Sequence, residues 1–206
     1  MERVITYIDG FNLYYGLREK NWKRFYWLNP VSLSEKLLKS NQVLVVCRYF
    51  TARIKSSDHG HQDANKQKVY LDALKTLDNL DCIYGKYMIN YRNCFKCGCK
   101  WAEPKEKKTD VNIATQILID AFNDKFDTAI IVSGDSDLSP PIKAIRNYFP
   151  EKRIIVAFPP KRVSVELKQV ANAYLYIGKD KLKNSQLPQQ IKLSNGHILK
   201  KPESWI

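Results

Sequence analysis

Along this chain, short runs that are almost wholly apolar alternate with longer stretches in which apolar residues recur at helical spacing. Val4 to Ile8 forms the first such run, Val43 to Phe50 the second and Cys82 to Met88 the third. Thr128 to Val132, Arg153 to Phe158 and Tyr174 to Ile177 follow. Each is short enough to be a strand and carries little polarity on either face, as a strand buried on both sides should. Between them, Asn65 to Leu77 places Val69, Leu71, Ala73, Leu74 and Leu77 where an amphipathic helix needs them. Val111 to Phe122 gives the clearest helical pattern, with Ala114, Ile117, Leu118, Ala121 and Phe122 on one face. Pro140 and Pro141 suit the first turn of a helix that continues through Ile142 and Ile145, and Val163 to Ala171 predicts another. The alternation predicts an α/β fold with a mainly parallel central sheet and helices on both faces. In such sheets the functional site lies beyond the carboxyl ends of the strands, and this narrows the search for chemistry.

At 206 residues the chain suits one domain over 1–180 with small additions. Residues from about 90 to 108 read as an insertion between a strand and a helix. Residues 181–206 read as a C-terminal extension packed on the domain, where an Asn195-Gly196 turn signal suggests a small hairpin. No apolar run approaches the roughly 20 residues that span a bilayer. The opening MERVITYIDG has no signal-peptide pattern and runs straight into a strand, so the expectation is a cytoplasmic protein whose fold starts near residue 1.

The strand-end rule picks out acids. The first strand ends at Asp9, followed by Gly10, Phe11 and Asn12; the fourth ends in Ser133-Gly134-Asp135-Ser136-Asp137. Asp110 stands at the start of the strongest helix. Four carboxylates converging at one sheet edge would repel one another and raise one or more pKa values. A divalent cation relieves that cost, and oxygen ligands suit Mg²⁺ or Mn²⁺. Each acid also has an ordinary reading. Thr109 or Asp110 could be an N-cap, Asp9-Gly10 and Gly134-Asp135 turn chemistry, and Asp137 a partner for a helix dipole.

Charge adds a partner. Lysine and arginine total 34 against 21 acids, a formal charge of +13, and a basic surface favours polyanions such as nucleic acid. Lys96, Lys100, Lys105, Lys107 and Lys108 lie beside Asp110 with Phe95 and Trp101 among them, a mixture suited to holding a single strand by phosphate contacts and stacking. Lys161 and Arg162 follow the fifth strand on the same expected edge as the acids and could grip phosphate; a solvated basic loop is the alternative. Tyr14, Tyr15, Trp22 and Trp27 read as core or interface residues, and His197 as structural.

Three segments resemble the motifs of NYN domains, which are PIN-like nucleases. Tyr7-Ile8-Asp9-Gly10-Phe11-Asn12-Leu13-Tyr14 looks like their opening motif, Lys108-Thr109-Asp110-Val111-Asn112 with Ala114 their middle one, and Val132-Ser133-Gly134-Asp135-Ser136-Asp137-Leu138 their third. Thr109 stands where many members have a hydrophobic residue. The resemblance covers about residues 1–180; Gln186-Leu187-Pro188 and Trp205 also resemble the tail of a bacterial subgroup with a cysteine-containing insertion. It implies a PIN-like sheet and metal-dependent hydrolysis of RNA. Asp9, Asp110, Asp135 and Asp137 would then be the metal-site carboxylates. Asn12 would orient a carboxylate or substrate by hydrogen bonding, and Ser133 could do the same.

Five cysteines and no signal peptide argue against a disulfide framework. Cys47 and Cys82 sit in apolar runs as small core residues. Cys94, Cys97 and Cys99 make a C-x-x-C step with a following glycine, the shape of one zinc knuckle. A structural Zn²⁺ would need a fourth ligand, from His59, His61 or another chain; the alternative is a set of reduced surface thiols. Two rivals to an RNA-cleaving enzyme stand at this point: a catalytically silent RNA-binding or regulatory module, and a metal phosphohydrolase acting on small phosphorylated substrates. A cofactor-dependent redox enzyme is disfavoured, because no G-x-G-x-x-G follows the first strand. A homodimer is common enough to be an expectation.

Overall fold

The computed structural model describes residues 1–54 and 61–206, with the side chains of residues 61, 87–90 and 101–106 outside the description. The chain runs β1 (Glu2–Asp9), α1 (Gly10–Glu19), α2 (Pro30–Glu35), β2 (Gln42–Thr51), α3 (His61–Leu74), β3 (Leu80–Tyr84), β4 (Lys86–Asn93) and β5 (Lys100–Lys107). It continues through α4 (Thr109–Phe122), β6 (Thr128–Val132), α5 (Ser139–Tyr148), β7 (Arg153–Phe158), α6 (Val165–Val170), β8 (Ala173–Tyr176), α7 (Lys179–Lys183), β9 (Gln190–Lys192) and β10 (Ile198–Lys200).

Six of these strands form the expected α/β sheet, in the order β3-β2-β1-β6-β7-β8 with every neighbouring pair parallel. The side-chain alternation of β1 divides the interior in two. Val4 and Ile8 face one layer with Leu13 and Leu17 of α1, Leu33 of α2 and Leu71 and Leu74 of α3. Ile5 and Tyr7 face the other with Ile113 and Ile117 of α4, Ile142 and Ile145 of α5 and Leu167 of α6. The sheet therefore carries helices on both faces, and its central strands β1, β6 and β7 read as nearly continuous apolar runs because neither face meets water, while the outer strand β8 alternates with exposed Tyr174 and Tyr176. Burying each such aliphatic side chain contributes about 2 kcal/mol before the entropy of ordering it is subtracted.

The strand order reverses between β1 and β6: connections from β1 lead outward to β2 and β3, and those from β6 lead the other way to β7 and β8. A crevice opens at such a switch point beyond the strand ends. β1 ends there at Asp9, and β6 ends one residue before Ser133.

Several local expectations change. The run from Cys82 to Met88 is two elements. β3 stops at Tyr84, the Gly85 N–H donates to Thr51 O at 2.8 Å, and the chain leaves the sheet as β4. The insertion expected over 90–108 is the rest of an antiparallel hairpin, β4 with β5, paired from Lys86↔Lys107 to Asn93↔Lys100. Trp27 is fully buried and Trp22 packs against the same core, but Tyr14 and Tyr15 are each 39% exposed, so they are not core residues.

The C-terminal extension holds the antiparallel pair β9 and β10, closed through Gly196 at φ +84. Leu187 and Leu199 enter the α1–α3 core, and Trp205 stacks edge-on against Tyr26 and Tyr70. The Trp27 indole N–H donates to Pro188 O at 2.7 Å, which fastens the extension to the domain.

Candidate active site

The crevice is built by helix starts. Asp9 ends β1 and caps α1: its Oδ1 accepts from the Asn12 N–H at 2.9 Å. Its Oδ2 accepts from the Ser133 hydroxyl at 3.1 Å, while Ser133 Oγ accepts from the Asp135 N–H at 3.1 Å. Asn12 Oδ1 accepts from the Gly134 N–H at 2.9 Å. Asp135 in turn caps a short 3-10 turn over Ser136–Leu138, accepting from the Asp137 N–H at 3.0 Å. Two of these hydrogen bonds, Ser133 to Asp9 and Gly134 to Asn12, tie the end of β1 to the end of β6.

Two glycines permit this approach. A Cβ on Gly10 would lie 2.7 Å from Phe50 O and from the Tyr49 hydroxyl. A Cβ on Gly134 would lie 2.6 Å from the Arg162 carbonyl carbon, so the loop after β7 rests directly on the Ser133–Asp135 turn.

Asp110 arrives from α4. Capping was one reading of Thr109 or Asp110, but the cap position is Lys108, left-handed at φ 79 and without a side-chain cap bond. Asp110 lies inside the first turn, and the Thr109 hydroxyl is buried without a partner among the described residues.

The electrostatics tie the acids together. Asp9 is 4% exposed, and its carboxyl is pushed up to about 6, chiefly by burial. The Asn12 N–H and Ser133 hydroxyl pull it down; the charges of Asp110 and Asp135 push it further up. Asp110 is also raised, by burial first and then by Asp135 and Asp137. Asp9, Asp110 and Asp135 are therefore within range of one another's charge, and Asp137 bears on Asp110. Among the described residues no three His, Cys, Asp or Glu side chains close into a single ligand group. The N-termini of α1, α4 and the 3-10 turn bear on the same place, and their partial positive charge offsets part of the repulsion.

The basic residues divide. Lys107, Lys108 and Lys161 are exposed, Lys161 with a left-handed backbone at φ 60. Arg162 is half-buried and already engaged: it pairs with Glu19 and lies over the Tyr15 ring at 6.0 Å. That pairing holds the loop after β7 against α1. Lys96 and Lys100 are exposed on the hairpin, and the side chains of Trp101 and Lys105 lie outside the described residues.

The hairpin tip carries the cysteines. The Cys94 N–H donates to Cys99 O at 2.8 Å and the Gly98 N–H to Cys94 O at 2.9 Å, with Gly98 at φ +69. Cys94 is half-buried and Cys97 and Cys99 are exposed, all as free thiols. The turn has a knuckle's compactness, but the three thiols are not gathered as a ligand group. His59 and the His61 side chain, named as fourth ligands, lie outside the described residues.

Reading the sequence missed a pocket beside the acids. Gly10 and Phe11, the residues after Asp9, line a cavity of about 150 Å³ together with Tyr14, Tyr26, Tyr49, Tyr70 and Trp205. Its walls come from α1, β2, α3 and the extension, so no local pattern announces it. The sole hint was an excess of aromatics near α1.

Comparison with known proteins agrees with this fold. A crystal structure of a Vibrio parahaemolyticus protein of unknown function superposes with a TM-score of 0.59 at 22% identity, covering 90% of this chain and 96% of the other, which supports the fold. A Pseudomonas putida protein named 6-hydroxy-3-succinoylpyridine 3-monooxygenase HspA is 29% identical over 98% of this chain and 75% of its own length. The NYN domain model matches residues 3–178, a span that includes all four acids and the sheet that presents them. This chain belongs to the NYN domain family, whose fold is of the PIN-like nuclease type.

Proposed function

We propose that this protein is a metal-dependent ribonuclease that hydrolyses RNA phosphodiester bonds at the β1–β6 switch point. The observation that carries the reading is Asp9: a carboxylate buried at a strand end, raised to about 6, with Asp110 and Asp135 adding to its cost. A fold does not keep such a group for stability, since a neutral side chain would pack there at less expense.

The donor chemistry fits a hard divalent cation, because every candidate ligand is a carboxylate oxygen. Asp9, Asp110, Asp135 and Asp137 would hold Mg²⁺ or Mn²⁺, which usually keeps several waters of its own and so does not need a closed protein cage. When bound, the cation supplies activation of water and neutralisation of phosphate charge. The chain does the rest. Ser133 fixes the Asp9 carboxylate and the Asp135 backbone in one bond network, and Asn12 holds the Gly134 turn against α1. The helix N-termini favour an anion above the acids. Lys107, Lys108 and Lys161 flank the crevice, where they attract the backbone of a strand.

A second reading has one observation in its favour. The relative from Pseudomonas putida is named for oxygenation of a substituted pyridine, and an aromatic pocket lies beside the acids. On that reading the site serves a small ring compound instead of RNA.

Labelled single-stranded RNA, incubated with purified protein in Mn²⁺, Mg²⁺ or chelator, tests the proposal. Cleavage in metal and none in chelator is expected. Binding without cleavage would favour the silent module, and faster hydrolysis of small phosphate esters than of RNA would favour the phosphohydrolase.

A further inference from the structure

We propose that the aromatic pocket under α1 takes a planar, single-ring nitrogen heteroaromatic group, and that this group is a pyrimidine base of the strand held at the carboxylates. The second half of this statement rests on the ribonuclease reading above; the first does not.

Position comes first. Gly10 and Phe11 line the pocket and follow Asp9 directly, and a Cβ on Gly10 would lie 2.7 Å from the Tyr49 hydroxyl on its wall. A base next to a phosphate at the acids would reach this opening without the chain crossing the protein.

The walls set the chemistry. Tyr14 and Tyr26 lie with centroids 4.9 Å apart, Tyr26 meets Trp205 at 5.7 Å, and Trp205 meets Tyr70 at 6.1 Å. The tilts of 52°, 82° and 75° make a box of ring faces and edges, with no closed stack filling it. Rings on a wall favour a flat π system, and stacking accepts any base by its face.

Size and polarity narrow the ligand. A volume of about 150 Å³ matches a cavity that admits one benzene-sized ring. A purine would need more space. The polar groups left over suit a ring with nitrogens and carbonyls. The Tyr14 and Tyr26 hydroxyls have no hydrogen-bond partner among the described residues. The Gln67 amide, by contrast, is spent on Ala52 O and the Ile54 N–H.

The test is binding in chelator, where cleavage cannot interfere. Uridine monophosphate, adenosine monophosphate, ribose 5-phosphate and free 2-hydroxypyridine are titrated against the full chain by calorimetry, with saturation-transfer NMR to report which ligand protons touch protein. Tyr14→Ala and Tyr14→Phe are run beside the wild type; Tyr14 is exposed enough that its replacement leaves the core intact. Expected is tighter binding of the uridine nucleotide than of ribose 5-phosphate or the adenine nucleotide by about tenfold, with saturation strongest on the ring protons. Tyr14→Ala should lose about tenfold, and Tyr14→Phe less. Equal binding of ribose 5-phosphate, or unchanged binding in Tyr14→Ala, overturns the pocket assignment. Hydroxypyridine binding that exceeds the nucleotide's supports the ring pocket and overturns the RNA base as its occupant. Nucleotide binding that meets expectation, with no RNA cleavage in Mn²⁺, overturns the ribonuclease reading and leaves the pocket standing.

Discussion

Replacing Asp9 with Asn separates what the site costs from what it does. Burial and the neighbouring acids raise the Asp9 carboxyl from 3.8 to about 6, a shift of roughly 2 pH units. At about 1.4 kcal/mol per unit, the ionised form costs the folded state about 3 kcal/mol relative to the neutral one. The sign follows from proton uptake. Between pH 4 and 6 the folded protein binds more protons at Asp9 than the unfolded chain does, so stability falls as pH rises through that window. Asparagine keeps the Oδ1 that accepts from the Asn12 N–H and presents an amide to Ser133 Oγ, without a charge. In chelator at pH 7.5 the Asp9→Asn protein should be more stable than the wild type by about 1–3 kcal/mol, the lower figure allowing for a less favourable Ser133 contact. At pH 4 the difference should vanish. Urea titrations of both proteins at the two pH values measure it, and subtracting one from the other removes the remaining titrating groups. A variant less stable than wild type at pH 7.5, or a gain that does not change with pH, would refute the reasoning.

Three further outcomes follow from the same contacts. Mn²⁺ at about 100 times its dissociation constant should stabilise the wild type by about 3 kcal/mol and leave Asp9→Asn almost unmoved, as read by thermal melts with and without the ion; equal shifts would place binding elsewhere. Gly134→Ala puts a methyl group 2.6 Å from the Arg162 backbone, which cannot swing aside, so a loss of about 1–3 kcal/mol in urea unfolding is expected together with slower RNA cleavage. Asp120 accepts from Arg48 at 2.8 and 3.0 Å, from the Tyr7 hydroxyl at 2.7 Å and from Gln116 at 3.0 Å. Asp120→Ala leaves the largely buried Arg48 guanidinium with Asp81 alone at 2.6 Å and the buried Tyr7 hydroxyl without its acceptor, and should cost about 2–4 kcal/mol, while an unchanged urea midpoint would mean that the network relaxes around the gap.

The sheet was legible in the sequence because its central strands β1, β6 and β7 are buried on both faces, and a run such as Thr128–Val132 has few other places to go. The acids were legible for a related reason. Once the sheet is parallel, Asp9 and the Ser133–Asp137 segment must leave it at the same end. What the pattern hid had weaker local signals. Helix α1 starts at Gly10 with no loop after β1, so Asp9 ends a strand and caps a helix at once. In the β4–β5 hairpin, β5 is mostly lysine and glutamate around Pro104, and its composition reads as loop. The pocket depends on Tyr14, Tyr49, Tyr70 and Trp205, which meet only after the extension folds back over α1 and α3. The pairing of Arg162 with Glu19 was hidden as well, because the two lie 143 residues apart in the chain.

The most direct test of the central claim is the rate at which purified wild type and Asp135→Asn cleave the same labelled single-stranded RNA in Mn²⁺. Asp135 is half-buried, so its replacement should leave the fold in place, and its charge is one that raises both Asp9 and Asp110. The account predicts cleavage that chelator abolishes in the wild type and a loss of about a hundredfold or more in the variant. Equal rates in the two proteins would contradict it.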